Sequence, residues 1–164
     1  MTSRVNVLSW NYDLQMEHAL ALFLGLENID EVYERPDTRC YPDLTPKRKT
    51  GRLPFLVHLN GVAGQLRSGS KPTCLYKGLN GTDGRSFIEG LFSLYHSHTT
   101  AADNCLEGTE ESLTFAWEGT PMAQTAISMA LEVLDSADVL VIIGYSFPSF
   151  NRIIDEQLIG RFCK

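Results

Sequence analysis

The sequence predicts an α/β fold in which a mostly parallel sheet is flanked by helices. At two places a predicted strand is followed by a polar or glycine-containing loop and then by a predicted helix. The clearest run is residues 139–143, VLVII, which is typical of a strand buried on both faces. Gly144 and Ser146 come next, and residues 151–160 are predicted to be helical. Such a strand end suits either a nucleotide or a tight turn with no ligand.

The N-terminal segment repeats this arrangement. Residues 5–9, VNVLS, are a predicted strand, residues 10–13 form a polar loop, and a helix is predicted over residues 14–26. Asp13 is suited to be the N-cap of that helix. The predicted outward positions include Gln15, Glu17 and His18, and the predicted apolar face comprises Leu14, Ala19, Leu22, Phe23 and Leu26. Two strand–loop–helix units would place two polar loops at one edge of a sheet.

The middle of the chain has weaker signals. Residues 28–52 contain three prolines and are predicted to be an irregular insertion. Their basic cluster at residues 47–52 fits a solvated loop or a phosphate contact. Residues 53–59 are the next predicted strand, with His58 at its carboxyl end and Gly61 just beyond. A hairpin is predicted within residues 62–74.

The C-terminal part continues as alternating elements within one domain covering residues 1–164. We predict helices over residues 86–98 and 121–134 and a strand over residues 113–117. Pro121 suits the first turn of its helix. No internal repeat or linker divides the chain, so a single domain is the prediction.

Composition excludes several classes of protein. The chain is 43% apolar and 21% charged, which is ordinary for a globular domain. Its net charge of −6 argues against a general nucleic-acid or membrane-surface binder. The four cysteines form no CxxC pair, so no metal site is predicted and reduced thiols are expected. With no apolar leader and no run long enough to span a membrane, a cytoplasmic location is expected.

Three segments together resemble the sirtuin-like domain family. They are SWNYD at residues 9–13, HLNG at residues 58–61, and IGYSF at residues 143–147 with Asn151 after it. Their order and approximate spacing are similar to the bacterial branch found in antiviral-defence NAD hydrolases. The resemblance covers most of residues 5–160.

The resemblance implies a Rossmann-like three-layer fold that binds NAD across the carboxyl edge of its sheet. It implies Asn11, His58 and Asp13 as catalytic residues, with Asn11 and Asp13 near the nicotinamide and its ribose. The residues it implies for cofactor binding are Trp10, Tyr12, Gly61, Gly144, Tyr145, Ser146 and Asn151.

These residue types suit cleavage of the nicotinamide–ribose bond. That reaction passes through an oxocarbenium-like centre, as glycoside cleavage does. Amide and carboxylate groups can orient the ribose and favour its positive charge, and a histidine can take a proton from a hydroxyl or water. Taken singly, His58 also fits a core histidine bonded to backbone, and Asn11 and Asp13 fit an Asx turn with a helix cap.

The chain departs from the family in three ways. The family's first strand and Gly-rich loop have no counterpart before residue 5, the CxxC pairs of deacylating sirtuins are absent, and Trp10 replaces a polar residue. The domain would then be the C-terminal portion of the full family domain. An open sheet edge favours association, so we expect a homo-oligomer or a partner domain or subunit. A histone-type deacylase is disfavoured, whereas binding of NAD or ADP-ribose without turnover and a truncated interaction module stay open.

Overall fold

A small parallel sheet lies at the centre of the N-terminal half. The computed structural model describes residues 5–35, 38–42, 55–68, 71–74 and 109–163. Three strands, β1 (Asn6–Ser9), β2 (Arg39–Tyr41) and β3 (Phe55–His58), are all parallel and lie in the order β1-β3-β2. Parallel strands in a chain with this helix content confirm the α/β fold class.

The second sheet is antiparallel and follows β3 directly. It contains β4 (Gly61–Ser68), β5 (Lys71–Cys74) and β6 (Thr109–Leu113) in the order β5-β4-β6. The antiparallel pair of β4 and β5 confirms the predicted hairpin. The strand predicted over residues 113–117 is wrong, because β6 ends at Leu113 and a 3₁₀ helix covers Ala116–Glu118. The Phe115 amide donates to the Glu118 carboxylate at 3.0 Å, and this local bond competes with strand pairing.

Four α-helices complete the described structure: α1 (Gln15–Leu24), α2 (Ile29–Glu34), α3 (Pro121–Asp135) and α4 (Arg152–Phe162). The helix predicted over residues 121–134 is confirmed, with the Thr120 hydroxyl accepting from the Ala123 amide as its N-cap and Pro121 in its first turn. No helix in the described parts of the chain is long and apolar enough to cross a membrane.

Neighbouring residues of β3 pack in different parts of the core. Leu56 lies in a cluster with buried residues of α1 and α2, including Ala21 and Val32. Val57 packs with Ala126 and Val133 of α3. Side chains alternate between the two faces of a strand, so α1 and α2 cover one face of β3 and α3 covers the other.

The orientation of α1 differs from the prediction. Three residues of the predicted apolar face, Ala19, Leu22 and Phe23, are exposed, Leu22 and Phe23 to 80% and 85%. Glu17 is predicted to face outward but is fully buried. Leu14, Glu17 and Ala21 form the buried face. Tyr33 of α2 and His58 of β3 contact the Glu17 carboxylate. These contacts explain why α1 turns Glu17 toward the core instead of its most apolar face.

The run at residues 139–143 does not form the predicted buried strand. Val139, Val141 and Ile143 are exposed, and only Leu140 packs against a core cluster, on α3 and α4. No backbone hydrogen bond connects residues 139–143 to another described residue. A strand needs a paired neighbour, so apolar composition alone does not create one. The helix expected after this run is confirmed, because α4 follows a 3₁₀ turn at Ser149–Asn151.

The stretch expected to be irregular, residues 28–52, contains α2 and β2 within its described part. The Asn28 side chain accepts a hydrogen bond from the Glu31 amide and so caps α2. The basic cluster at residues 47–52 and the helix predicted over residues 86–98 lie outside the described residues.

Candidate functional site

All three segments of the sequence pattern meet beyond the carboxyl ends of β1 and β3. The rings of Trp10 and Tyr145 stack with centroids 5.3 Å apart and an interplanar angle of 5°. The Asn60 side-chain amide donates to the Trp10 carbonyl at 2.8 Å. Contacts between residues so far apart in sequence bring the loops after β1, after β3 and after residue 143 into one region.

The loop at residues 10–13 presents its polar residues outward. Asn11 and Tyr12 are exposed, and Asp13 is half-buried. The Asp13 carboxylate accepts a local hydrogen bond from the Gln15 amide at 3.1 Å, but the predicted N-cap is wrong, because the N-cap position of α1 is Leu14. The Asn11 amide donates to the Ser9 hydroxyl at 3.2 Å, which stabilises the bend after β1. This geometry leaves the Asn11 side chain accessible to a ligand.

His58 is buried, with 1% of its surface exposed. Its Nδ1 lies 2.9 Å from the backbone carbonyl oxygen of Asn11, and its Nε2 lies 2.9 Å from Oε1 of Glu17. The Tyr33 hydroxyl donates to the same Glu17 oxygen at 2.5 Å. We call Tyr33, Glu17 and His58 the first triad.

The contacts of His58 influence its protonation. Burial alone would lower the pKa of His58, but the hydrogen bond and charge of Glu17, the Asn11 carbonyl and the charge of Asp13 together raise it above the usual 6.5. Both ring nitrogens face oxygen acceptors, and an imidazolium can donate to both at once. The surroundings of His58 therefore favour its charged form.

Asn60 connects the site to the rest of the fold. Its amide nitrogen donates to the Trp10 carbonyl, its amide oxygen accepts from the Ala116 amide at 3.2 Å, and its backbone carbonyl accepts from the Thr114 amide at 3.1 Å. Gly61, immediately after it, has a φ of +66°, which favours glycine. These two residues make the turn from β3 into β4.

The loop after residue 143 is only partly exposed. Gly144 has a φ of +66°, Ser146 is exposed, and Tyr145 is half-buried against Trp10. Asn151 is 3% exposed, and its amide nitrogen donates to the Tyr145 hydroxyl oxygen at 2.8 Å. The Asn151 side chain thus supports the tyrosine, while Ser146 faces solvent.

Tyr145 also donates to a carboxylate. Its hydroxyl lies 2.9 and 3.0 Å from the two oxygens of Asp155, which is buried in α4. The pKa of Tyr145 is raised to about 12, mainly by burial. The hydrogen bond from Asn151 lowers this pKa, and the hydrogen bond to Asp155 and its charge raise it. Burial also raises the pKa of Asp155, partly offset by the Tyr145 donor. We call Tyr145, Asp155 and Asn151 the second triad.

A cleft of about 420 Å³ adjoins the second triad. Phe147, Arg152, Asp155, Glu156, Ile159 and Gly160 line it. It lies along α4, and none of its lining residues belongs to the loop at residues 10–13. Within the described ranges no group of histidine, cysteine and acidic side chains could hold a metal ion.

Sequence reasoning missed four polar residues of this region: Glu17, Tyr33, Asn60 and Asp155. A signal for Glu17 was present, because residues 14, 17 and 21 share one face of a helix. The proposed roles of the predicted site residues stay predictions. The chain matches no known family model, no curated protein and no solved structure.

Proposed function

We propose that this chain is a sirtuin-like, Rossmann-like domain that binds NAD and cleaves its nicotinamide–ribose bond. The single observation that carries the proposal is the convergence of the three segments beyond the ends of β1 and β3. Trp10 stacks on Tyr145, and His58 and Asn60 bind backbone carbonyls of the loop at residues 10–13. Ligands of open α/β sheets bind at such an edge.

Helices on both faces of β3 also support the Rossmann-like part of the proposal. Leu56 packs toward α1 and α2, and Val57 packs toward α3. A parallel sheet with both faces covered is the framework of doubly wound nucleotide-binding folds. The protein would work in the cytoplasm.

The proposed chemistry uses the accessible amide and carboxylate of the loop at residues 10–13. Asn11 is exposed and would orient the carboxamide or the ribose, and Asp13 would favour positive charge on the ribose. His58 is the third member of the proposed catalytic set, and it would accept a proton only as a neutral imidazole, above its raised pKa and with one ring nitrogen released from its present partner. Trp10, Tyr12, Gly61, Gly144, Tyr145, Ser146 and Asn151 form the proposed nucleotide-binding set.

Binding of NAD or ADP-ribose without turnover is the second candidate function. The burial of His58 favours it, since both ring nitrogens already have partners in Glu17 and Asn11. A histidine held in this way positions the loop and has no lone pair directed at a ligand.

Exposed apolar surface supports a homo-oligomer or a partner domain or subunit. Residues 139–143 make no backbone hydrogen bond to another described residue, and Val139 and Ile143 are 75% and 86% exposed. Leu22 and Phe23 add an apolar area on α1. Large exposed apolar patches mark interaction surfaces.

Nicotinamide release from NAD by the purified chain tests the activity. We expect release by the wild type and a loss of about 100-fold or more in Asn11→Ala, because that side chain would contact the reacting sugar. His58→Ala should also abolish release, with its folding checked by circular dichroism. Asn6→Ala, which removes an exposed asparagine of β1, is the matched control and should leave release unchanged.

The outcomes separate the two candidate functions. Nicotinamide release by Asn11→Ala at a rate close to that of the wild type would contradict the proposed site. No release, combined with a rise in thermal midpoint on adding ADP-ribose, would select the binding function. No release and no shift with either NAD or ADP-ribose would reject both.

Sedimentation velocity tests the expected association. We expect a concentration-dependent rise in sedimentation coefficient, and Val141→Lys together with Ile143→Lys should reduce it, since both exposed side chains would become charged. A monomer that persists at high concentration would contradict self-association.

A further inference from the structure

The carboxylate of Glu17 is an unusual feature of α1, because it is fully buried. Its Oε1 receives the Tyr33 hydroxyl and faces Nε2 of His58, whereas its Oε2 is buried with no hydrogen-bond partner. A buried carboxylate is costly unless it is paired and hydrogen-bonded. Its position between two other elements therefore indicates a specific role.

We propose that Glu17 is a positioning residue, which acts through His58 to hold the Asn11 carbonyl and so fixes the loop at residues 10–13. The connection crosses three elements: α2 contributes Tyr33, α1 contributes Glu17, and β3 contributes His58. Every contact in it is between 2.5 and 2.9 Å.

The first step is the hydrogen bond between His58 and Asn11. A backbone carbonyl has no proton, so Nδ1 of His58 must carry one to donate. A neutral imidazole has a single ring proton, which either nitrogen can hold. A ring with its proton on Nε2 would place a lone pair against the Asn11 oxygen and release the loop. The contact with Asn11 thus depends on the protonation of His58.

The second step is the effect of Glu17 on that protonation. The Glu17 carboxylate faces Nε2, accepts a hydrogen bond from the protonated Nε2 and supplies a negative charge beside the ring. With Glu17 present, the ring stays doubly protonated to a higher pH, so both nitrogens donate and the Asn11 contact persists over a wider pH range. The other groups facing the ring are the Tyr33 hydroxyl, through Glu17, and the charge of Asp13.

The third step joins this relay to the proposed ligand edge, and this step alone rests on the proposed function. Asn11 is exposed, and Trp10, which belongs to the same loop as Asn11, stacks on Tyr145. Fixing one carbonyl in the middle of a four-residue loop restricts the neighbouring side chains as well. Displacing a substrate-orienting group by about 1 Å costs on the order of 100-fold in rate.

Nitrogen NMR of the His58 ring, combined with backbone amide shifts of residues 10–13, tests the proposal. We expect both ring nitrogens of the wild type to be protonated to a pH above 6.5. Glu17→Gln should bring deprotonation to a lower pH and shift the amides of residues 10–13. Glu34→Gln removes an exposed carboxylate of α2 and should change neither readout.

Tyr33→Phe provides a second variant with the opposite sign. This variant removes the hydrogen bond that Tyr33 donates to Glu17 but keeps the carboxylate. The negative charge of Glu17 is then less well solvated, so it should stabilise the protonated form of His58 more strongly. The pKa of His58 should then rise in Tyr33→Phe and fall in Glu17→Gln. A purely structural contribution would not reverse sign between the two variants. If Glu17→Gln does not fold, the direction in which the pKa of His58 changes in Tyr33→Phe decides whether the proposal holds.

Three results would overturn the proposal. These are a wild-type His58 that half-titrates at or below pH 6.5, unchanged amides of residues 10–13 in Glu17→Gln, or a fall in the pKa of His58 in Tyr33→Phe. ADP-ribose affinity is measured separately, and we expect Glu17→Gln to weaken it about 10- to 100-fold. Absence of ADP-ribose binding to the wild type would contradict the proposed function, while the ring protons would still decide the role of Glu17.

Discussion

The first and second triads both contain a tyrosine that donates to a carboxylate. Tyr33 donates to Glu17, and Tyr145 donates to Asp155. The third member differs, because His58 can carry a positive charge next to Glu17, whereas Asn151 is neutral and donates to the tyrosine instead. The carboxylate of the first triad therefore has a neighbour that can act as its counterion, whereas no cation of the described residues is paired with the carboxylate of the second triad.

This difference appears in the pKa shifts. In the first triad, burial lowers the pKa of His58, but Glu17, the Asn11 carbonyl and Asp13 together raise it above its usual value. In the second triad, burial raises the pKa of Asp155 itself. A buried carboxylate either keeps its charge with a cation beside it or is pushed toward its neutral form. The two triads therefore differ in whether the carboxylate has a neighbour that can carry positive charge.

Glu17→Ala should have the largest effect. It leaves His58 and Tyr33 without their acceptor in the core, and breaking a buried ion pair costs about 3–5 kcal/mol. We expect the free energy of unfolding, measured by urea denaturation, to fall by about that amount. Glu34→Ala on the exposed side of α2 should change it by less than about 0.5 kcal/mol. Similar values for both variants would remove the distinction between the buried and exposed carboxylates.

The second-largest effect should be on the pH dependence of stability, which reports on His58 of the first triad. The pKa of His58 is raised in the folded state, so its contribution to stability is complete below the unfolded value of 6.5 and is lost as the pH rises through the folded value. We expect the thermal midpoint of the wild type to fall over that window. Glu17→Gln should flatten this dependence, and a wild-type midpoint that rises with pH there would contradict the assignment.

Asp155→Asn should have the smallest effect, with the opposite sign. The raised pKa of Asp155 means that ionisation above its ordinary pKa of 3.8 weakens the folded state, and asparagine never ionises. We expect a gain below about 1 kcal/mol in the free energy of unfolding at neutral pH, disappearing as the pH falls. A clear loss at neutral pH would mean that the charged hydrogen bond from Tyr145 dominates.

Local patterns in the sequence predicted several elements well. The apolar run of β3 and the Pro121 signal of α3 depend on neighbours in sequence, and the structure contains both elements. The α/β class followed from the order of such elements. The positions of Asn11 and His58 near one sheet edge followed from the rule that parallel strands end at a common edge. Tyr145 reaches this edge by its stack on Trp10, although the strand predicted before it does not form.

Non-local pairing could not be predicted in the same way. Residues 139–143 have strand composition but no hydrogen-bonded neighbour among the described residues, because pairing depends on which edge is available. Glu17 is charged, so hydropathy predicts exposure, and only its partners on α2 and β3 explain its burial. The second triad was missed for the same reason, since the burial of Asp155 depends on Tyr145.

The stack between Trp10 and Tyr145 has a consequence for the order of folding. It joins residues near opposite ends of the chain, so it closes a loop that includes nearly all of the protein. Closing so long a loop costs entropy that no local contact repays, and such contacts form late. Substitutions that weaken the stack should accelerate unfolding and leave the refolding rate almost unchanged. The edge where the three segments meet would then be among the last regions to assemble.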